Sequence, residues 1–306
     1  MNTTARPVAS VLAAAVLFGT AGTAQALGPD GTTPLGVGAA RIALASLLLV
    51  AFAIFRRRPV DGPLCPVIAA NRTLILTGGA GVAMYTPAFF AGVDRAGVAV
   101  GTVVAIGSGP FFAGALEWTG RGERPRAGWF AGTVMSIAGG VILVASGNDG
   151  ATEVEPAGIG FALLAGFGYA LYSVTTKLTM ERGMDPTLAL AAPFTVGAVV
   201  VVLLAVRESL DWLGTGDGAL MALYLGVMTA GAYVLFGYGL HRLTSATTVT
   251  LVLAEPVTAA LLAVVLLDET IALLGWLGIV VLLAGLLVVG RTAEVSFEPT
   301  DPTSPT

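Results

Sequence analysis

The chain of 306 residues is 56% hydrophobic, and only 11% of it is Asp, Glu, Lys or Arg, against about 25% in soluble domains. With a mean hydropathy of +0.87 and a net charge of -4, it cannot be an ordinary soluble enzyme, a disordered protein or a nucleic-acid binder, which needs a basic surface for phosphate. One cysteine, Cys65, excludes a disulfide framework; with one histidine, His241, it also leaves no thiolate or imidazole zinc site.

The remaining class is an all-α polytopic membrane protein. A span needs about 20 predominantly apolar residues. Ten such runs follow one another: 8–27, 34–55, 73–93, 97–117, 127–146, 156–177, 186–206, 218–240, 244–267 and 271–290. The longest connection, Arg56 to Arg72, has no room for a folded domain. The tail, 291–306, is short, acidic and rich in Pro and Thr, a composition expected to be disordered. At the other end Arg6, an apolar run and Ala24-Gln25-Ala26 imitate a signal peptide. The run is long enough to span, however, and the internal repeat needs it.

Basic residues set the expected orientation. With the N-terminus inside, the cytoplasmic side receives Arg6, Arg56, Arg57, Arg58, Arg72, Arg121, Arg124, Arg126, Lys177, Arg182, Arg242 and Arg291. The other side receives Arg95 and Arg207, and Arg41 lies within a span. A cell-membrane protein with both termini cytoplasmic is expected.

The two halves of the chain match each other. Pro110-Phe-Phe-Ala-Gly-Ala-Leu, moved by 146, meets Pro256-Val-Thr-Ala-Ala-Leu-Leu. At the same offset Glu123 meets Glu269, Gly132 meets Gly278 and Gly139 meets Gly285. At offset 147 Gly79, Phe89, Gly92 and Arg95 meet Gly226, Phe236, Gly239 and Arg242; Pro34 meets Pro186. Each half, 1–146 and 156–290, holds five helices. Five is odd, so the second half enters the membrane upside down. Inverted five-helix repeats are a build of secondary transporters, with substrate near the midplane.

Polar groups inside the spans are the candidate site. In the ninth span Thr244, Thr247, Thr248, Glu255 and Thr258 fall within an arc of about 100°, a stripe about 21 Å long. Such a stripe faces either water or another helix. Glu255 is near mid-bilayer, where an acid must be paired, wet or protonated. It is either a proton carrier or amine binder, or a structural acid. Arg41, about 10 Å from the end of its helix, either binds a substrate carboxylate bidentately or holds helices together. Tyr169, Tyr172, Ser173 and Thr176 share one face of the sixth span, closed by Lys177, which is either a ligand or a snorkelling anchor. Tyr85 and Phe89 align in the third span, and Thr229, Tyr233 and Phe236 in the eighth. The candidate translocation residues are therefore Arg41, Tyr85, Phe89, Tyr169, Tyr172, Ser173, Lys177, Tyr233, Thr248 and Glu255, with helix kinks at Pro87, Pro110 and Pro256. Trp118, Trp129, Trp212 and Trp276 are placed at membrane interfaces.

These features together resemble the drug/metabolite transporter superfamily, in its EamA-like branch. The resemblance rests on the 5+5 layout, Ala-Ala-Arg41-Ile-Ala in the second span, and the paired motifs Gly107-Ser108-Gly109-Pro110 to Glu123 and Leu253-Ala254-Glu255-Pro256 to Glu269. It implies a secondary transporter exporting amino acids or related metabolites by alternating access, with a small-molecule substrate, possible proton coupling and no cofactor. The first half departs from the motif, with Gly109 where Glu255 stands. No G-x-x-x-x-G-K-[ST] occurs, because the sole lysine, Lys177, follows Thr176. An intramembrane enzyme or a channel is the alternative, but no H-E-x-x-H or second mid-membrane acid supports catalysis. A tag fused to the N-terminus is expected to stay with the membrane fraction; its release would show cleavage after Ala26 and remove the first span.

Overall fold

The structure is a computed structural model and describes residues 4–56, 63–122, 124–147 and 154–293. Arg57, Arg58, Glu123, Asp149, Glu153 and nearly all of the tail lie outside the described residues. The helices are α1 Ala5–Ala26, α2 Pro34–Arg56, α3 Leu64–Ala70, α4 Arg72–Ala96, α5 Val98–Arg121, α6 Ala127–Ala145, α7 Pro156–Glu181, α8 Pro186–Leu204, α9 Gly216–Arg242, α10 Ser245–Leu251, α11 Glu255–Leu266 and α12 Leu273–Thr292. Among the described residues there is no strand.

Ten helical segments of 19 to 27 residues are long and apolar enough to cross a membrane, α10 and α11 together making one of them. At about 1.5 Å per residue they match a hydrocarbon core of about 30 Å. Only α3 falls outside this set. It occupies the Arg56–Arg72 connection, where sequence suggested no element, and none of its residues is buried.

Local chemistry explains the boundaries. Asp185 accepts from the N–H of Thr187 and of Leu188 at the start of α8, with Pro186 in the first turn. The ninth span is interrupted: Val252–Ala254 is a 3₁₀ turn between α10 and α11. Pro256 has no N–H for the carbonyl of Val252, and its ring crowds that carbonyl. Pro87 and Pro110, by contrast, lie inside helices that continue through them.

Consecutive spans alternate in direction, so Arg56, Arg72, Arg126, Arg182, Arg242 and Arg291 share one end of the bundle. We call it the basic end. Arg95 and Arg207 lie at the opposite end. Two of the four tryptophans do not sit where an interface belt would put them. Trp118 and Trp276 are about half exposed, but Trp129 and Trp212 are buried, and Trp129 donates to Thr250 Oγ1 at 3.1 Å. Its indole serves an interhelical hydrogen bond instead of a headgroup.

Glycines let the spans approach closely. A Cβ on Gly81 would stand 2.5 Å from the Gly168 carbonyl, joining α4 to α7, and one on Gly92 would stand 2.9 Å from the Ala162 nitrogen. Between α6 and α12 the contacts repeat with the partners exchanged. Gly132 lies against Gly285, and Gly139 lies against Gly278 and Leu282. Gly278 and Gly285 are the repeat mates of Gly132 and Gly139. Each pair therefore maps onto the other, as a two-fold axis between antiparallel mates requires. Likewise Gly92 against Ala162 in α4–α7 is matched by Gly239 against Val11 in α9–α1. The fold is thus two five-helix halves related by an inversion in the membrane.

Overpacked interfaces cost about 1–3 kcal/mol. Gly139→Leu and Gly81→Leu should lower the melting temperature of the detergent-solubilised protein or abolish its monodisperse peak. Gly160→Ala, whose Cβ would meet nothing, should leave both unchanged.

Candidate functional site

A cavity of about 100 Å³ lies at mid-bundle. Arg41 enters it from α2, Tyr85 and Thr86 from α4, Tyr169 and Tyr172 from α7, and Thr229 and Tyr233 from α9. Glu255 closes the ring from the first turn of α11. The interruption above Pro256 has a consequence here, because a carboxylate in the first turn of a helix is favoured by the helix dipole.

The walls are a connected set of aromatic rings. Phe18 packs edge-on to Tyr233 with centroids 5.1 Å apart, and Phe194 meets the same ring at 4.6 Å. Tyr172 touches Tyr233 at 5.7 Å, and Tyr85 lies 6.0 Å from Tyr169. Edge-to-face geometry at these separations is favourable beyond the area it buries. It fixes the rings, and so the positions of their hydroxyls.

Several polar atoms of the cavity lack a hydrogen-bond partner among the described residues. Arg41 Nε, Thr86 Oγ1 and Tyr169 Oη are buried and have no hydrogen-bond partner among the described residues. Arg41 and Glu255 line the same cavity, and among the described residues they form no ion pair with each other. An unpaired buried charge is costly, so this arrangement suits a ligand or water that supplies the missing charges and hydrogen bonds.

Six of the ten candidates converge on this cavity: Arg41, Tyr85, Tyr169, Tyr172, Tyr233 and Glu255. Four do not line it. Phe89 stacks on Tyr85 at 5.8 Å and supports it from behind. Ser173 donates to the Tyr169 carbonyl at 2.9 Å, and Thr248 to the Thr244 carbonyl at 2.9 Å. Both hydroxyls are spent within their own helices. Lys177 is buried at the basic end and donates to the His241 carbonyl at 2.9 Å, with Glu181 at 3.8 Å. There it meets the C-terminal carbonyls of α9, where cations are favoured. The threonines at the start of the stripe in the ninth span thus bond locally to one another, and of the stripe Glu255 reaches the cavity.

Sequence reading missed Phe18, Phe194 and Thr86. The two phenylalanines lie in apolar runs, and their neighbours one turn away on either side are all apolar. Thr86 follows Tyr85, about 100° around the helix, and reaches the cavity because the wall wraps around α4. Thr229 had been grouped with Tyr233 but not counted among the site residues. Among the described residues no cluster of His, Cys, Asp and Glu could hold a metal.

Comparison with known proteins gives a consistent result. Residues 6–145 and 156–291 each match the EamA-like transporter family. The chain is 38% identical over 294 residues to a protein of Bacillus subtilis (strain 168) described as the uncharacterized transporter YwfM, covering 94% of this chain and 96% of that one. A solved crystal structure superposes with a TM-score of 0.76 at 20% identity, covering 92% of this chain and 95% of the other, and shares the fold.

Tyr169→Phe removes a hydroxyl that has no partner. It should leave the melting temperature of the empty protein unchanged or raise it by the equivalent of up to about 1 kcal/mol. A marked loss of stability would show that the hydroxyl holds the bundle together.

Proposed function

Because the chain belongs to the EamA-like transporter family, and so is a membrane transporter rather than an enzyme, we propose that it exports amino acids by alternating access. The observation that carries this reading is Arg41 and Glu255 lining one aromatic cavity, with no ion pair between them and no hydrogen-bond partner for Arg41 Nε among the described residues. A zwitterion answers that arrangement. Its carboxylate takes the planar guanidinium bidentately, its ammonium meets the Glu255 carboxylate, and its side chain packs against the rings.

In this reading the halves 1–146 and 156–290 rock about the cavity, and the tail, 291–306, takes no part. The basic end is cytoplasmic, since Lys and Arg stay on that side. Glu255 alternates between substrate ammonium and proton, which couples export to the proton gradient. A different metabolite of the same superfamily is the second reading; it would need only one of the two charges.

Purified protein in liposomes decides between them. Zwitterionic amino acids should compete for transport at least tenfold better than analogues lacking the amine or the carboxylate, since one charged hydrogen bond is worth about 1.5–3 kcal/mol. Equal competition would sink the amino-acid reading. Arg41→Lys should weaken binding by a similar factor, and Glu255→Gln should flatten the pH dependence of the rate. A pH profile unchanged in Glu255→Gln would remove the proton role.

A further inference from the structure

The ninth span and its repeat mate, α5, meet at the basic end. There Glu117, near the end of α5, is buried and reaches the start of α10. Its Oε1 accepts from the Ser245 N–H at 2.6 Å and its Oε2 from the Ala246 N–H at 3.1 Å. Thr244 Oγ1 accepts the next N–H, of Thr247, at 3.1 Å. Three of the four donors that a helix start leaves free are thus satisfied, two of them by a carboxylate from another helix. These are charge-assisted bonds across a helix contact. A carboxylate near the C-terminus of α5 is disfavoured by that helix's own dipole, and the N-terminus of α10 offsets this.

The same region is closed. Every residue from Ser245 to Ala254 is buried, whereas in α11 only Val257 is. Val249 packs so near Gly109 of α5 that a Cβ there would stand 3.4 Å from its Cγ1. On the basic side of the contact lies a separate space of about 320 Å³ lined by Glu117, Arg124, Trp129, Thr244 and Thr247. Toward the other end α11 packs on α1, and its residues Val265 and Leu266 are 71% and 54% exposed.

The contact has no mate in the other half. At offset 146 Glu117 becomes Ala263, which carries no acceptor. The start of α5, which mirrors the start of α10, has Gly97 at its N-cap, a residue with no side chain to cap it. Inverting the structure would bring Ala263 to the start of α5, where its methyl group offers no acceptor.

We propose that Glu117 is the latch of a gate at the basic end: its bidentate cap on α10 holds that end closed, and the absence of a counterpart at position 263 makes this the resting state. Opening separates α5 from α10 and frees both N–H groups. This rests on alternating access as proposed above, but its readout needs no substrate. A failure of the latch would therefore leave the zwitterion reading untouched.

The test uses full-length protein in sealed vesicles of both orientations. The exposed Cys65 of α3 identifies, in the parent protein, the vesicles whose basic end faces the medium. In a Cys65→Ser background, Val249→Cys then reports passage through the gate to a membrane-impermeant maleimide. Glu117→Gln keeps the shape and removes the charge. Ser245→Pro removes one donor and leaves Glu117 intact; proline is well suited to the first turn, and Thr244 already has the extended ψ of 153° that precedes proline comfortably.

Both variants should raise labelling of Val249→Cys from the basic end by about tenfold, the scale of one hydrogen bond to a charged group. Their combination should add little more. A wild-type labelling rate in either folded variant overturns the proposal. Loss of the monodisperse fold in both would overturn it too, by making Glu117 a structural cap.

Discussion

The structure depends on how closely its helices can approach. Lipid is as apolar as the side chains it meets, so burial of apolar surface gives no preference for helix over lipid; packing and hydrogen bonds must decide association. Here glycines supply the packing. Gly81 with Gly168 joins α4 to α7, and Gly132 and Gly139 with Gly285 and Gly278 join α6 to α12. Each contact takes one helix from each half. The halves are therefore interlocked instead of lying side by side, and the close pairs provide the rigid framework on which the cavity is suspended.

That framework explains why charges are tolerated at the midplane. Rings held edge-on to one another cannot swing to cover Arg41 or Glu255, so both stay presented to the cavity. An unligated protein bears the cost of keeping them apart and hydrated. In the proposed reading a ligand with complementary charges would recover that cost, so stability and recognition would be opposed at one place.

Much of this was legible in the amino-acid sequence, for reasons that differ by level. The spans were readable because hydrocarbon thickness sets their length, and the inversion because five is odd. The repeat offset of 146 anticipated the α6–α12 symmetry, since Gly132 and Gly139 had their mates at 278 and 285. Arg41 and Glu255 stood out because charge inside a span is rare. Lys177 was legible only as a choice between a ligand and an anchor, and its place at a helix end, where a long side chain finds carbonyls first, puts it at the basic end. Ser173 and Thr248 have the right face, yet a hydroxyl in a helix can bond its own backbone. Periodicity gives a direction and cannot say whether a hydroxyl is already spent. Phe18 and Phe194 carried no signal at all, because only tertiary packing separates a cavity phenylalanine from a lipid-facing one.

The two halves share a scaffold and differ in chemistry, and two of the differences fall on one pair of mates. Gly109 stands where Glu255 does in the other half, and Ala263 where Glu117 does. Both acids therefore belong to the contact system of α5 with α10 and α11, one at the cavity and one at the basic end. A perfectly symmetric inverted repeat would have two equal end states and an equal ligand environment in each. Placing one acid on each mate breaks that symmetry both at the cavity and at the basic end. Among the described residues Glu255 is the one carboxylate lining the cavity, and Glu117 is the one bridging α5 to α10. In the proposed alternating-access cycle the symmetry makes two states available, and the asymmetry gives them different energies.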